Sequence, residues 1–182
     1  MSKFNVMRFC LGFFLGLIAF FLSSQITPVQ LLASVSLGAF DSTVAITQRA
    51  SQVSFYSNGT LSVIGGSPCT GCSIIDIISS TTQPDGQLAP WSTVGTFPKA
   101  LIWHSSAYNN DNQYVVGGFL DSINGIISKI PDVYRTDPGS NNWDQIQSLP
   151  VPLALGGAVV AGDYLYYGGG VNNSNQVSDK IY

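Results

Sequence analysis

The chain has 182 residues, 45% of them hydrophobic and only 9% charged, with a formal charge of −3 at pH 7. That charge offers no basic footprint for nucleic acid. The acids are ten Asp and no Glu, beside 19 Gly and 9 Pro, which argues against a helical bundle, because Asp, Gly and Pro favour turns over helix interiors.

In chain order, Lys3 and Arg8 precede an uncharged run from Phe9 to Leu22, and the next charge is Asp41. A basic start followed by an apolar run of this length is the pattern of a secretory signal. It is short for a membrane span, which needs about 20 residues. Residues 1–24 therefore read as a signal peptide, or as an uncleaved signal anchor running on through Ser23, Ser24 and Ile26 towards Pro28. Ser34-Val35-Ser36 places a small-x-small cleavage point as late as residue 36. Cys10 lacks the preceding small residues of a lipoprotein box and belongs to the apolar run. The expected location is outside the cell or in its envelope, with membrane attachment only through an uncleaved segment 9–24. Residues 25–50 read as a linker and the start of the first repeat.

Residues 51–182 repeat with a period of 52. Diglycines fall at Gly65-Gly66, Gly117-Gly118 and Gly169-Gly170, and the pairs Trp91/Trp143 and Pro98/Pro150 keep the same interval. Three 14-residue lines align without a gap, starting at Val53, Ser105 and Gly157. Each has a turn pair at its centre: Asn58-Gly59, Asn110-Asp111 and Gly162-Asp163. These residues tolerate positive φ, as a tight hairpin demands, so each line reads as strand, turn, strand, diglycine.

A hairpin ending in Gly-Gly, then a Trp strand and a Pro turn, resembles the kelch repeat. The residues that carry the resemblance are the three diglycines, Tyr134 in PDVYRTDP, Trp91, Trp143 and Pro150; Pro84 to Trp91 (PDGQLAPW) resembles a variant common in bacterial arrays. The arginine that often follows the proline is missing, with Lys99 its nearest substitute, and the first repeat lacks a tyrosine matching Tyr134. The resemblance implies an all-β fold, a β-propeller in which each repeat supplies one four-stranded antiparallel blade. Gly65, Gly66, Gly117, Gly118, Gly169, Gly170, Trp91, Trp143, Pro98, Pro150 and Tyr134 then hold blades together, with Trp as the wedge between neighbours. Propellers typically have 4 to 8 blades. The chain reads as about three blades of an incomplete propeller, an N-terminal piece whose remaining blades come from a longer chain or from self-association.

Residues with chemistry of their own are few. Cys69 and Cys72 follow the first diglycine as Cys-Thr-Gly-Cys. In an exported protein a local disulfide is the default, with free thiols, or a redox or metal role, as alternatives. A structural zinc wants four ligands, and His104 is the chain's only histidine. No metal, cofactor or catalytic set is assigned, and His104 reads as a structural residue at the start of the second blade.

Antiparallel order puts the loops between strands two and three on the same face as the connections between blades. Those segments are 67–73, 119–128 and 171–178, with 99–102 and 151–155. Loops on a repeat scaffold carry function, so this face is the expected binding surface, with Asp121, Asn124, Asn172 and Asn173 as its polar candidates. The expected function is an exported protein- or glycan-binding module. The alternative is the N-terminal part of a secreted carbohydrate-active or galactose-oxidase-like enzyme whose catalytic residues lie on other blades.

Overall fold

The computed structural model describes residues 46–69, 72–109, 112–120, 128–137 and 140–182. The chain divides into a unit ending at Phe40 and a second from Asp41 to Tyr182. The first, with its apolar run and Cys10, lies outside the described residues.

Strands are the only regular elements among the described residues. The first repeat folds into a sheet of β1 (Val53–Ser57), β2 (Thr60–Ile64), β3 (Asp76–Thr81) and β4 (Ser92–Thr96), in that spatial order. β1 buries Val53, Phe55 and Ser57 and exposes Ser54 and Tyr56, the period of two of a strand with one covered face. Asn58 and Gly59, at φ 50° and 74°, form the tight turn into β2.

The second repeat begins with a short strand β5 (Leu101–Ile102) and builds its sheet from β6 (Ser105–Tyr108), β7 (Gln113–Val116), β10 (Val133–Thr136) and β11 (Asp144–Gln145). Between β7 and β10, β8 (Phe119–Leu120) and β9 (Ser128–Lys129) pair with each other, and β8 pairs with β5. The third repeat contributes β12 (Ala154–Ala161) and β13 (Tyr164–Val171), with Val177 and Ile181 bridging back to β13.

Two sequence expectations need correction. Segment 119–128 is not loop throughout, since its ends are strands; segment 99–102 likewise contains β5. In the third repeat the diglycine lies inside β13 rather than after it. Both have one cause: pairing resumes beyond each diglycine. Ala50 bridges Ser67, Ile102 pairs with Phe119, and Ala154 with Val171, three pairs spaced by 52 on both sides.

The diglycine is required by backbone approach. A Cβ on the second glycine would stand 2.8 Å from the Ala50 carbonyl oxygen at Gly66, 3.0 Å from that of Ile102 at Gly118 and 2.8 Å from that of Ala154 at Gly170. The first glycine faces the entry of the following repeat instead: Leu101 O for Gly65 and Leu153 O for Gly117. These carbonyls accept hydrogen bonds from Gly66 N at 3.2 Å and Gly118 N at 2.9 Å. Each of the first two diglycines thus grips its own entry segment and the next one. A further column runs through Ser51, Trp103 and Leu155, all at positive φ (61°, 52° and 61°). Trp103 N donates to Ser51 O and Leu155 N to Trp103 O, a backbone chain that links successive repeats.

Two apolar clusters fill the spaces between sheets. Val53, Phe55, Ile64 and Ile77 of the first repeat meet Val115 and Tyr134 of the second, with Trp143 packed against them. The Trp143 ring lies 6.1 Å from Phe55 and 5.1 Å, edge-on, from Phe97, so it wedges the second sheet onto the first. Trp91 stands half-buried at the matching place in the first repeat. Val116, Val133, Leu153 and Tyr167 form the second cluster. Pro98 and Pro150 follow Phe97 and Leu149, whose amides bond to Ile75 O and Pro131 O before the chain turns to the next repeat.

An ion pair ties the entry of each of the first two repeats to its third strand. Arg49, its side chain 0% exposed, donates to both carboxylate oxygens of Asp76 at 3.1 Å and to Gly65 O at 3.2 Å. Lys99 Nζ contacts Asp132 Oδ2, to which Tyr134 also donates at 3.3 Å. That hydrogen bond to Asp132 is the main cause raising the Lys99 pKa. Thus Lys99, directly after Pro98, and Arg49, with no adjacent proline, hold comparable ion pairs. Removing one partner of such a pair strands the other. Asp76→Ala is expected to cost about 2 kcal/mol, below the fully buried case because the carboxylate is partly solvated; the shift in urea midpoint measures it.

Candidate functional site

His104 sits just before β6, only 7% exposed, between the first two diglycines. Its Cε1 is 3.4 Å from where a Gly65 side chain would begin, and its Cβ 2.8 Å from the matching point on Gly118. Neither ring nitrogen has a hydrogen-bond partner among the described residues. Burial pushes its pKa down to about 4, with a backbone group of Ile64 pulling the other way. A neutral imidazole clamped in this way is a packing element.

The proposed loop face is only partly described. Asp121 and Asn124 lie outside the described residues. Asn172 Oδ1 accepts from Ser174 N at 2.9 Å and Gln176 N at 3.0 Å, an Asx turn that shapes its own loop. Asn173 Oδ1 accepts from Lys129 N at 2.9 Å and its Nδ2 donates to Lys129 O at 3.3 Å. The loop of the third repeat is thereby fastened to β9 of the second. Cys69 and Cys72 are bonded sulfur to sulfur, their Cα atoms 5.2 Å apart, and Ser67 Oγ reaches the carbonyls of both.

What this face does present is an aromatic ridge. Trp103 is 41% exposed and stands edge-on to Phe119 at 4.8 Å. Lys129 Nζ lies over the other ring partner, 4.6 Å from the Phe119 centroid, while donating to Asn175 Oδ1 at 3.0 Å. β5, β8 and β9 position all three, since Trp103 directly follows β5. The sequence reading missed this group because it took these segments for loops. The signal was Leu101-Ile102 facing Phe119-Leu120, two apolar pairs flanking the diglycine.

Three matches with known proteins bear on this arrangement. Beta-scruin of Limulus polyphemus is 28% identical over 116 residues, 62% of this chain and 12% of that protein. N-acetylneuraminate epimerase of Shigella sonnei is 31% identical over 87 residues, 46% of this chain and 23% of the enzyme. The solved structure of YjhT superposes on 73% of this chain with a TM-score of 0.62 at 15% identity, using 42% of its own length. The chain has the fold of the kelch-type β-propellers. No family model matches it, and it spans under a quarter of either curated relative. As kelch blades, the first two repeats are complete four-stranded units, while β12 and β13 form the hairpin of a third. The 2–3 loop and the entry strand of blade two meet in one small sheet, which makes the Trp103 ridge part of the propeller's diglycine end.

Proposed function

We propose that the chain is an exported protein-binding scaffold and that Trp103 and Phe119, with the buried Lys129 ammonium against the Phe119 ring, form its contact surface. The observation that carries this reading is the exposed Trp103, braced by Phe119 beside a cation. Tryptophan is among the residues most enriched at binding hot spots, where truncation costs 2 kcal/mol or more. The export reading rests on the basic start and apolar run of residues 3–22, and membrane attachment, if it occurs, is through that segment. The test is affinity capture from the secreted and envelope fractions of the source cells, with the full chain and its Trp103→Ala variant. A partner held by the native chain is expected to bind the variant at least about tenfold more weakly; identical capture by both would remove the ridge as the surface.

The similarity to the epimerase favours a second reading, in which these blades belong to a carbohydrate-active enzyme. Its catalytic residues then lie on blades outside this chain, and a longer chain or self-association supplies them. Turnover of a sugar by the assembled protein, unaffected by Trp103→Ala, would favour that reading over the first.

A further inference from the structure

Blade one turns its Val53, Phe55, Ile64 and Ile77 side towards blade two, and near the diglycine end this side is sealed by apolar packing. Towards the hairpin-turn end the same side changes character. There Ser57, Thr60, Ser62 and Ser79 replace the apolar residues and line an interblade cleft of about 230 Å³. Blade two closes it with Gln113, Ser140, Asn141 and the Trp143 ring. The rim is tied across by Asn141 Nδ2 donating to Val94 O at 2.9 Å, and the floor by Ser62 Oγ and Ser79 Oγ at 2.7 Å. Gln113, only 7% exposed, lines the cleft. The buried indole N–H of Trp143 has no hydrogen-bond partner among the described residues.

Buried polar groups are almost always satisfied, so the unpartnered indole N–H of a ring lining the cleft marks a place where something else supplies the bond. The lining carries hydroxyls, amides, one indole and the aliphatic side chains of Ile64, Ile77 and Val94, and no ionisable side chain. It therefore offers donors and acceptors without charge, together with an apolar ring face, a combination suited to a ligand with many hydroxyls and an apolar C–H surface. The volume lies below the roughly 300–1,000 Å³ of sites for drug-sized ligands. We propose that this cleft binds a single neutral sugar residue, with Trp143 as its aromatic wall and Gln113 as its buried hydrogen-bonding group.

The repeat explains why the cleft is open. Ser62 stands in the column occupied 52 residues later by Tyr114 and 104 later by Tyr166. Between blades two and three, Tyr114 packs against the apolar cluster; between blades one and two the serine leaves that space free. The site lies at the turn end of the strands, away from the Trp103 ridge, and stands or falls independently of it.

The test is titration calorimetry of the full chain with the methyl glycosides of glucose, galactose and N-acetylglucosamine, with N-acetylneuraminate as the charged comparison. At least one neutral glycoside is expected to bind with a Kd of about 1 mM or tighter. Ser62→Tyr, which inserts the side chain the other repeats carry, is expected to weaken it at least tenfold. Gln113→Leu, which keeps the volume and removes the amide, is expected to do the same and decides the matter should Ser62→Tyr not fold. Absence of binding by all three neutral glycosides, unchanged affinity in a folded variant, or preference for N-acetylneuraminate would overturn the proposal.

Discussion

Gly117→Ala is expected to destabilise the chain by about 4 kcal/mol, a sum of left-handed strain, steric displacement and a lost hydrogen bond. Gly117 has φ +61°, and a Cβ there would overlap the Leu153 carbonyl oxygen. An L side chain at such a φ costs about 1–2 kcal/mol by itself. Moving the carbonyl away also breaks the 2.9 Å bond it accepts from Gly118 N, worth about 1 kcal/mol, and disturbs Leu153, which is fully buried. Gly169 is the internal control. It has φ +70° but nothing within 4 Å of the added carbon, so Gly169→Ala should cost only the strain, about 1–2 kcal/mol. Urea unfolding of both variants separates the two contributions; equal midpoints would show that carbonyl overlap plays no part.

Acid should weaken the fold through His104. Its folded pKa is about 4, whereas the unfolded imidazole titrates near 6.5. As pH falls below about 6.5, the unfolded state takes up a proton that the folded state refuses, so stability declines until about pH 4 and this contribution is constant below. Linkage gives a loss of about 3 kcal/mol between pH 8 and 4, some 2 of it above pH 5. His104→Gln removes the titration, so the variant's urea midpoint should hold nearly level between pH 7.5 and 5 while the native midpoint falls. A native midpoint that also stays level would show that the ring finds a proton-accepting partner or solvent.

The repeat was legible in the sequence because its main constraint falls on single residues. Only glycine fits against the carbonyls of Ile102 and Leu153, so the diglycines recur unchanged, and Trp143, at the period of Trp91, packs against the cluster between the first two sheets. The ion pairs were hidden for a geometric reason. Arg49 and Asp76 are 27 residues apart but Lys99 and Asp132 are 33, because Asp132 lies four residues past the 52-residue image of Asp76, at the end of the longer β7–β10 connection, and Lys99 two residues before that of Arg49. A fixed-period search cannot align them. The loop-face asparagines were chosen as exposed polar groups, yet the amides of Asn172 and Asn173 serve the backbone of their own loop and of β9. Composition alone does not distinguish an asparagine that meets a ligand from one that completes a turn. The interblade cleft was invisible for the opposite reason: it arises where Ser62 departs from the column that later holds tyrosine.

The double grip of the first two diglycines bears on how the blades melt. The entry segment Leu101–Ile102 is held by Gly66 of blade one and pressed against Gly118 of blade two, so its free energy belongs to neither blade alone. In a linear array, stability divides into intrinsic and nearest-neighbour terms, and a shared segment moves weight from the first to the second. When either neighbour loosens, the other loses its first strand's anchor. The described blades should therefore unfold as one cooperative block, with hydrogen exchange protecting Ile64 and Val116 amides to the same free energy.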